Sequence, residues 1–272
     1  SQVPYSSDDD PIASSTLSTA QSSGWIWDIG LPSRRGIGHV YSSSYTDATS
    51  AEKELRHHIK NLVGEEIAEH VSTRKIEFSP GHLEKFWHKN CVAIGMAAGF
   101  IEPLEASALV LVELSANMIA EQLPQNRKIM DIVSKRFNEK FLYRWDTIIE
   151  FLKLHYILTD RDNSEYWRDN VNHDSIPASL QEKMDLWKWQ GPYHKDTLHI
   201  DEMFPSASYQ YILYGMGFKT NPGNFRRSNQ ETSAVALDLF DENAMRTKQL
   251  VSSMPTNRDF IAKVHQYGLQ KI

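Results

Sequence analysis

The stretch Gly95-Met96-Ala97-Ala98-Gly99-Phe100-Ile101-Glu102-Pro103-Leu104-Glu105-Ala106-Ser107-Ala108-Leu109 decides how this chain is read. Small residues, a proline and two carboxylates sit where a short apolar strand, Cys91 to Gly95, gives way to a helical pattern. Two glycines let the backbone approach a ligand closely, and Pro103 suits a first helical position. The apolar periodicity then predicts a helix over 104–123. The first N–H groups of a helix have no partner within it and point into the turn that precedes it. Such a turn suits an anion or an electron-rich ring.

Downstream of this turn the sequence reads as mostly helical. Pro124 separates the first helix from one over 125–158, and further helices are expected over 177–189, 209–215 and around 242–254. The segment 160–174 is polar and reads as a loop. Upstream, Trp25 to Ile29 alternates as a strand, with 38–43 as its hairpin partner across Pro32-Ser33-Arg34. The two indoles, two residues apart, fall on one sheet face. A helix is expected over 49–62, capped by Thr49 or Ser50, and two further strands over 74–78 and 86–95 flank Pro80-Gly81. Residues 1–23, rich in Ser, Asp and Thr, read by themselves as a disordered tail. Mixed strands followed by helices define an α+β chain.

Composition narrows the partners. With 272 residues and a formal charge of −6, the chain shows no basic face for nucleic acid or an anionic membrane. No apolar run approaches the ~20 residues of a spanning helix, and no signal-peptide pattern opens the chain. The single cysteine, Cys91, excludes an internal disulfide and reads as a buried, inert thiol in a reducing compartment. Glu66 with His70, and the pair His57-His58, lack a third ligand at metal-site spacing, so no metal is expected. Gly36-Ile37-Gly38 and Gly215-Met216-Gly217 lack the third glycine of a dinucleotide turn, and no nucleophile elbow or Walker loop occurs.

The segment Gly99-Phe100-Ile101-Glu102-Pro103-Leu104-Glu105 resembles the GFxEPLES motif of the flavin-dependent tryptophan halogenases. Gly24-Trp25-Ile26-Trp27-Asp28-Ile29 resembles their W-x-W-x-I-P signature, with Gly30 where the family has proline. The likeness continues through Arg34 to Ser43 and, more loosely, through Tyr166-Trp167-Arg168 and Gly215-Met216-Gly217 to Met254-Pro255-Thr256. It implies a flavin-monooxygenase-like sheet module over 1–109, which the strand 15–21 enters, and a mainly helical substrate-binding region over 110–272. The family's N-terminal G-x-G-x-x-G turn and its catalytic lysine have no counterpart here. The resemblance therefore implies the C-terminal half or more of a longer enzyme, inactive as a fragment.

Several roles follow from the resemblance. Reduced FAD, supplied by a separate flavin reductase, would oxidise chloride or bromide with O₂, and an arene such as tryptophan or indole would be halogenated in the cytoplasm. Glu105 corresponds to the catalytic glutamate that faces the substrate ring, whereas Glu102 is structural. By position alone Glu105 reads only as a carboxylate in a helix's first turn. Ser107 and Ala108 fall where backbone amides bind halide. Met96, Gly99, Pro103 and Leu109 fall against the flavin, with plain core packing the lesser reading for Met96 and Leu109. In the substrate region His199 replaces the family's glutamate, Met203 and Phe204 its Phe-Trp pair, and Ser208 its asparagine. The acidic anchor for an amino acid is thus absent. A flavin monooxygenase or inactive homologue on the same scaffold, and a non-catalytic helical binding module, are the alternative readings.

Overall fold

The computed structural model describes residues 1–196, 202–221 and 230–269. They form two compact units, one of residues 1–75 with 222–272 and one of residues 76–221. Among the described residues no helix is long and apolar enough to cross a membrane.

The first unit is built on a four-stranded antiparallel sheet. Its strands β1 (Gln2–Pro4), β2 (Leu17–Gln21), β3 (Gly24–Gly30) and β4 (Arg34–Tyr41) lie in the order β1-β4-β3-β2. The hairpin expected around Pro32 is present, with Trp25 opposite Val40 and Trp27 opposite Gly38. Helix α1 (Ala48–Val63) covers the sheet, and α2 (Glu65–His70) follows it. Val3, Ile26, Ile37, Leu55, Ile59 and Ala68 form the core between them. The α1 cap is Asp47, whose carboxylate accepts from the Ser50 amide, and not the expected Thr49 or Ser50.

Trp27 explains the two glycines of the neighbouring strand, Gly38 directly opposite and Gly36 two residues along. A Cβ on Gly38 would stand 2.3 Å from Cζ2 of the Trp27 indole, and one on Gly36 3.3 Å from its Cζ3. The pair is steric room for an aromatic side chain, not part of a nucleotide turn.

The N-terminal residues, read alone as a tail, are ordered by the other end of the chain. Helices α8 (Gln230–Ser253) and α9 (Asn257–Tyr267) end the described chain, the first twelve residues longer at its start than expected and the second not foreseen at all. At the start of α9, Asn257 donates to the Ile12 carbonyl at 3.0 Å, and Arg258 donates to the Asp10 carbonyl while lying over the Tyr5 ring. Polar composition predicts disorder only when nothing downstream supplies partners.

The second unit is mainly helical. Two small antiparallel pairs precede its helices: β5 (Gly81–His82) with β8 (Gly99–Phe100), and, between them in sequence, the hairpin of β6 (Trp87–His88) with β7 (Cys91–Val92). The strand expected over 74–78 is absent, and 86–95 breaks at Lys89, whose φ of 54° turns the chain. Cys91 is exposed, correcting the buried thiol: its strand is two residues long, and Val92, not Cys91, faces the core. Helix α3 (Ser107–Glu121) begins three residues later than expected, because Ala106 before it adopts a left-handed backbone, φ 45°. Pro103, Leu104 and Glu105 therefore lie in an irregular turn, and Glu105 is outside the helix.

Helix α4 (Arg127–Ile157), capped by Asn126, is the central element. Its buried stripe Phe137, Phe141, Trp145, Ile148, Phe151 and Leu152 joins Phe86, Trp87, Leu180, Trp187 and Leu213 in one core. The segment 160–174 is not a loop: it contains α5 (Glu165–Val171), anchored by buried Tyr166 and Trp167 and capped by Ser164. Two aromatic rings outweigh the polar residues around them. Helix α6 (Ala178–Trp187) matches its expected position closely, and α7 (Ser206–Gly215) ends as expected but begins three residues earlier.

Candidate functional site

The second unit holds an almost entirely apolar cavity of about 290 Å³. Met96, Gly99, Ser107, Ala108 and Leu109 line it on the side of the turn, and Phe86, Phe141 and Trp145 line it from the core. Five of the residues singled out from the sequence are thus brought to one wall. Met96 and Leu109 are 83% and 80% exposed, so neither is a core residue. At its size, near the lower end of ligand pockets of roughly 300–1,000 Å³, the cavity suits one aromatic ring system and not a whole dinucleotide.

The backbone of this wall follows from its sequence. Gly95 turns the chain at a φ of 57°, conducting it into a single 3₁₀ turn over Gly95–Ala97. Gly99 is fixed by close approach: a Cβ there would stand 2.7 Å from the Gly81 carbonyl oxygen. The left-handed Ala106 then starts α3 with no side chain capping its first N–H groups. Those of Ser107 and Ala108 belong to the helix end that carries partial positive charge. A main-chain anion site needs nothing more from the side chains, so the residue types at 107 and 108 are compatible with one.

The two carboxylates of the turn are held differently. Tyr156 donates its hydroxyl to Glu102, 2.8 Å from Oε1 and 2.7 Å from Oε2. Burial, then the adjacent Glu102 charge, raises the Tyr156 phenol well above its ordinary value, so it stays a donor. Three residues on, Glu105 meets His155, Oε1 to Nε2 at 2.8 Å. Adjacent residues in the last turn of α4 thus meet the two glutamates. His155 and Tyr156 were not singled out from the sequence, because a histidine at a helix end has an ordinary role beside the helix dipole. The signal that could have found them is the matched pair of neighbours: Glu-x-x-Glu in the turn and His-Tyr in the helix.

The remaining candidates are dispersed. Pro103 is exposed in the turn and is not part of the cavity wall. Phe204 is buried, stacked on Phe151 with centroids 3.9 Å apart, and Phe151 in turn meets His155 edge-on at 5.2 Å. Ser208 is half-buried in the first turn of α7, its amide bonded to the Pro205 carbonyl. His199 lies outside the described residues. Glu66 and His70 are joined through the Glu66 carbonyl and His70 Nδ1, an ordinary contact within one helix.

An irregular turn, a helix start without a side-chain cap and an apolar cavity thus come together in one helical unit. Comparison with known proteins gives the family. The tryptophan halogenase family model matches residues 2–229. The 7-chloro-L-tryptophan 6-halogenase KtzR of Kutzneria sp. is 30% identical over 275 residues, covering 97% of this chain and 49% of that protein. The tryptophan 6-halogenase SttH of Streptomyces toxytricini is 30% identical over 268 residues, with the same shares. Among solved structures, a tryptophan halogenase from Shewanella frigidimarina superposes with a TM-score of 0.92 at 48% identity, over 100% of this chain and 51% of that one. BrvH, a flavin-dependent halogenase from Brevundimonas sp., does so with a TM-score of 0.81 at 30% identity, over 97% and 51%. The chain belongs to the tryptophan halogenase family. It spans about half the length of the relatives it matches.

Proposed function

We propose that this chain supplies the flavin-facing turn, the halide site and the arene-facing carboxylate of a flavin-dependent aromatic halogenase. The observation that carries the reading is the single cavity wall formed by Met96, Gly99, Ser107, Ala108 and Leu109; Glu105 does not line that cavity and stands in the turn just before Ser107. Apolar side chains at 96 and 109 offer faces to a planar ring, and the backbone amides of Ser107 and Ala108 offer donors to chloride or bromide. Pro103 stiffens the turn that leads to them. When bound, reduced flavin from a separate reductase supplies the electrons with which O₂ converts halide into an electrophilic halogen. Glu105 stabilises the cationic ring formed on electrophilic attack and takes up the proton that leaves it, since a fixed carboxylate acts most strongly where water is scarce.

On this reading residues 1–109 serve the flavin and residues 110–272 the substrate, a functional division that cuts across the second compact unit. Glu105→Gln in the full-length protein is expected to cut halogenation at least roughly tenfold with flavin binding intact, as measured by product mass and bound-flavin absorbance. Flavin binding with a hydroxylated, halide-independent product would instead identify a monooxygenase. No flavin binding at all would leave a binding module.

A further inference from the structure

We propose that His155 is a positioning residue for Glu105, fixing the carboxylate that faces the arene. The proposal rests on the reading of Glu105 given above. Its starting point is a deficiency: Glu105 lies in an irregular turn before the left-handed Ala106, so no helical neighbours restrict its rotamers. A glutamate so placed needs an outside partner to hold one orientation.

His155 has the geometry of that partner. Its Nε2 stands 2.8 Å from Glu105 Oε1, with the two side chains 18% and 31% exposed. Its other nitrogen, Nδ1, lies 2.8 Å from the Phe151 carbonyl oxygen. A carbonyl only accepts, so Nδ1 is the donor and the backbone of α4 holds that edge of the ring. With Nδ1 engaged, Nε2 is the nitrogen left to face the carboxylate. The ring plane is fixed as well, because Phe151, 2% exposed, meets it edge-on at 5.2 Å and 88°. One residue on, Tyr156 holds Glu102 by both oxygens, so the turn is fastened to the same helix at two points three residues apart. The imidazole takes one oxygen of Glu105 and leaves the second for the reacting ring. Displacement of a reacting group by about 1 Å costs on the order of a hundredfold in rate, so a lost support should appear in turnover more than in binding.

The test compares His155→Leu, His155→Gln, Glu105→Gln and the double variant Glu105→Gln/His155→Leu in the full-length protein, with halide, FAD and a flavin reductase. His155→Leu is expected to lower kcat at least roughly tenfold with KM changed less than about twofold, and His155→Gln, which keeps a donor near Nε2, to recover to within about threefold of the parent. The double variant should be no slower than Glu105→Gln. Unchanged kcat in His155→Leu, or equal loss in the Leu and Gln variants, overturns the positioning role. Full turnover in Glu105→Gln instead overturns the reading of Glu105 itself, and it leaves the two failures distinguishable. Independently of turnover, the ¹⁵N resonance of His155 Nε2 in the histidine-labelled protein should move on Glu105→Gln while Nδ1 keeps its donor signature. An unmoved Nε2 resonance overturns the pairing.

Discussion

At the scale of single residues, the positions that look like signatures divide into those that hold a shape and those that face the cavity. Gly36 and Gly38 hold a shape, since the Trp27 indole occupies the space their side chains would need. Adding a methyl group where nothing can retreat typically costs about 1–3 kcal/mol. Gly38→Ala is expected to lie in that range, because its Cβ would meet the indole at 2.3 Å, and Gly36→Ala, at 3.3 Å, to cost less than half as much. Urea midpoints of the two variants check the order; an equal or reversed effect would mean that the indole moves freely. Met96 and Leu109 fall in the other group. Their sequence environment fits core packing as well as cofactor contact, and only their exposure on the cavity wall separates the two.

At the scale of elements, α4 organises the second unit by side-chain bonds as well as by apolar burial. Asn138, buried, accepts from the Trp87 amide at 2.8 Å and donates to the Trp87 carbonyl at 2.9 Å, closing the β6–β7 hairpin onto the helix. Asn138→Ala would leave two buried backbone groups unpaired at about 1–3 kcal/mol each, so a loss of about 2 kcal/mol or more is expected in thermal or urea unfolding. In the first unit, α1 carries a histidine poorly suited to charge. Burial lowers His58 below its ordinary 6.5, opposed by Asp28 and reinforced by Arg35, His39 and His57, and its Nε2 has no hydrogen-bond partner. The folded state binds that proton less well than the unfolded state does. Its stabilising contribution is therefore present above about pH 6.5 and is lost as pH falls below it. His58→Gln should flatten the fall of melting temperature on acidification, and an unchanged slope would point to another group.

These elements also show what periodicity can reveal. Helices α4 and α6 were legible because their apolar stripes run for several turns and Pro124 and Pro177 mark their starts. The two-residue strands were not, since their pairing is set by backbone approach at Gly99 and a clasp from Asn138, fifty-one residues away from Trp87 in sequence. The start of α3 was misplaced because the break is one alanine in a left-handed conformation, and alanine ordinarily favours a helix.

At the scale of the whole molecule, substrate choice turns on what the second unit offers to the ends of a substrate, as distinct from its ring. The cavity wall is apolar, and Phe204 is packed into the core against Phe151, which also meets Tyr209 edge-on. The resemblance implies His199 in place of a glutamate of the family and Ser208 in place of an asparagine. Free tryptophan brings an ammonium and a carboxylate that must leave water, and such groups are costly to bury without partners. A hydrogen bond to a charged group contributes about 1.5–3 kcal/mol, so losing the one to the ammonium corresponds to about tenfold or more in kcat/KM. The full-length protein is therefore expected to halogenate indole or another neutral arene in preference to tryptophan by at least that factor. Competition between indole and tryptophan, with FAD, a flavin reductase and halide and with products counted by mass, measures the ratio directly. Replacing His199 with glutamate should move the ratio toward tryptophan if position 199 alone decides it. A preference for tryptophan in the parent protein would show that other polar groups hold the amino acid, and Tyr166, Arg168 and Asp201 are the first to substitute.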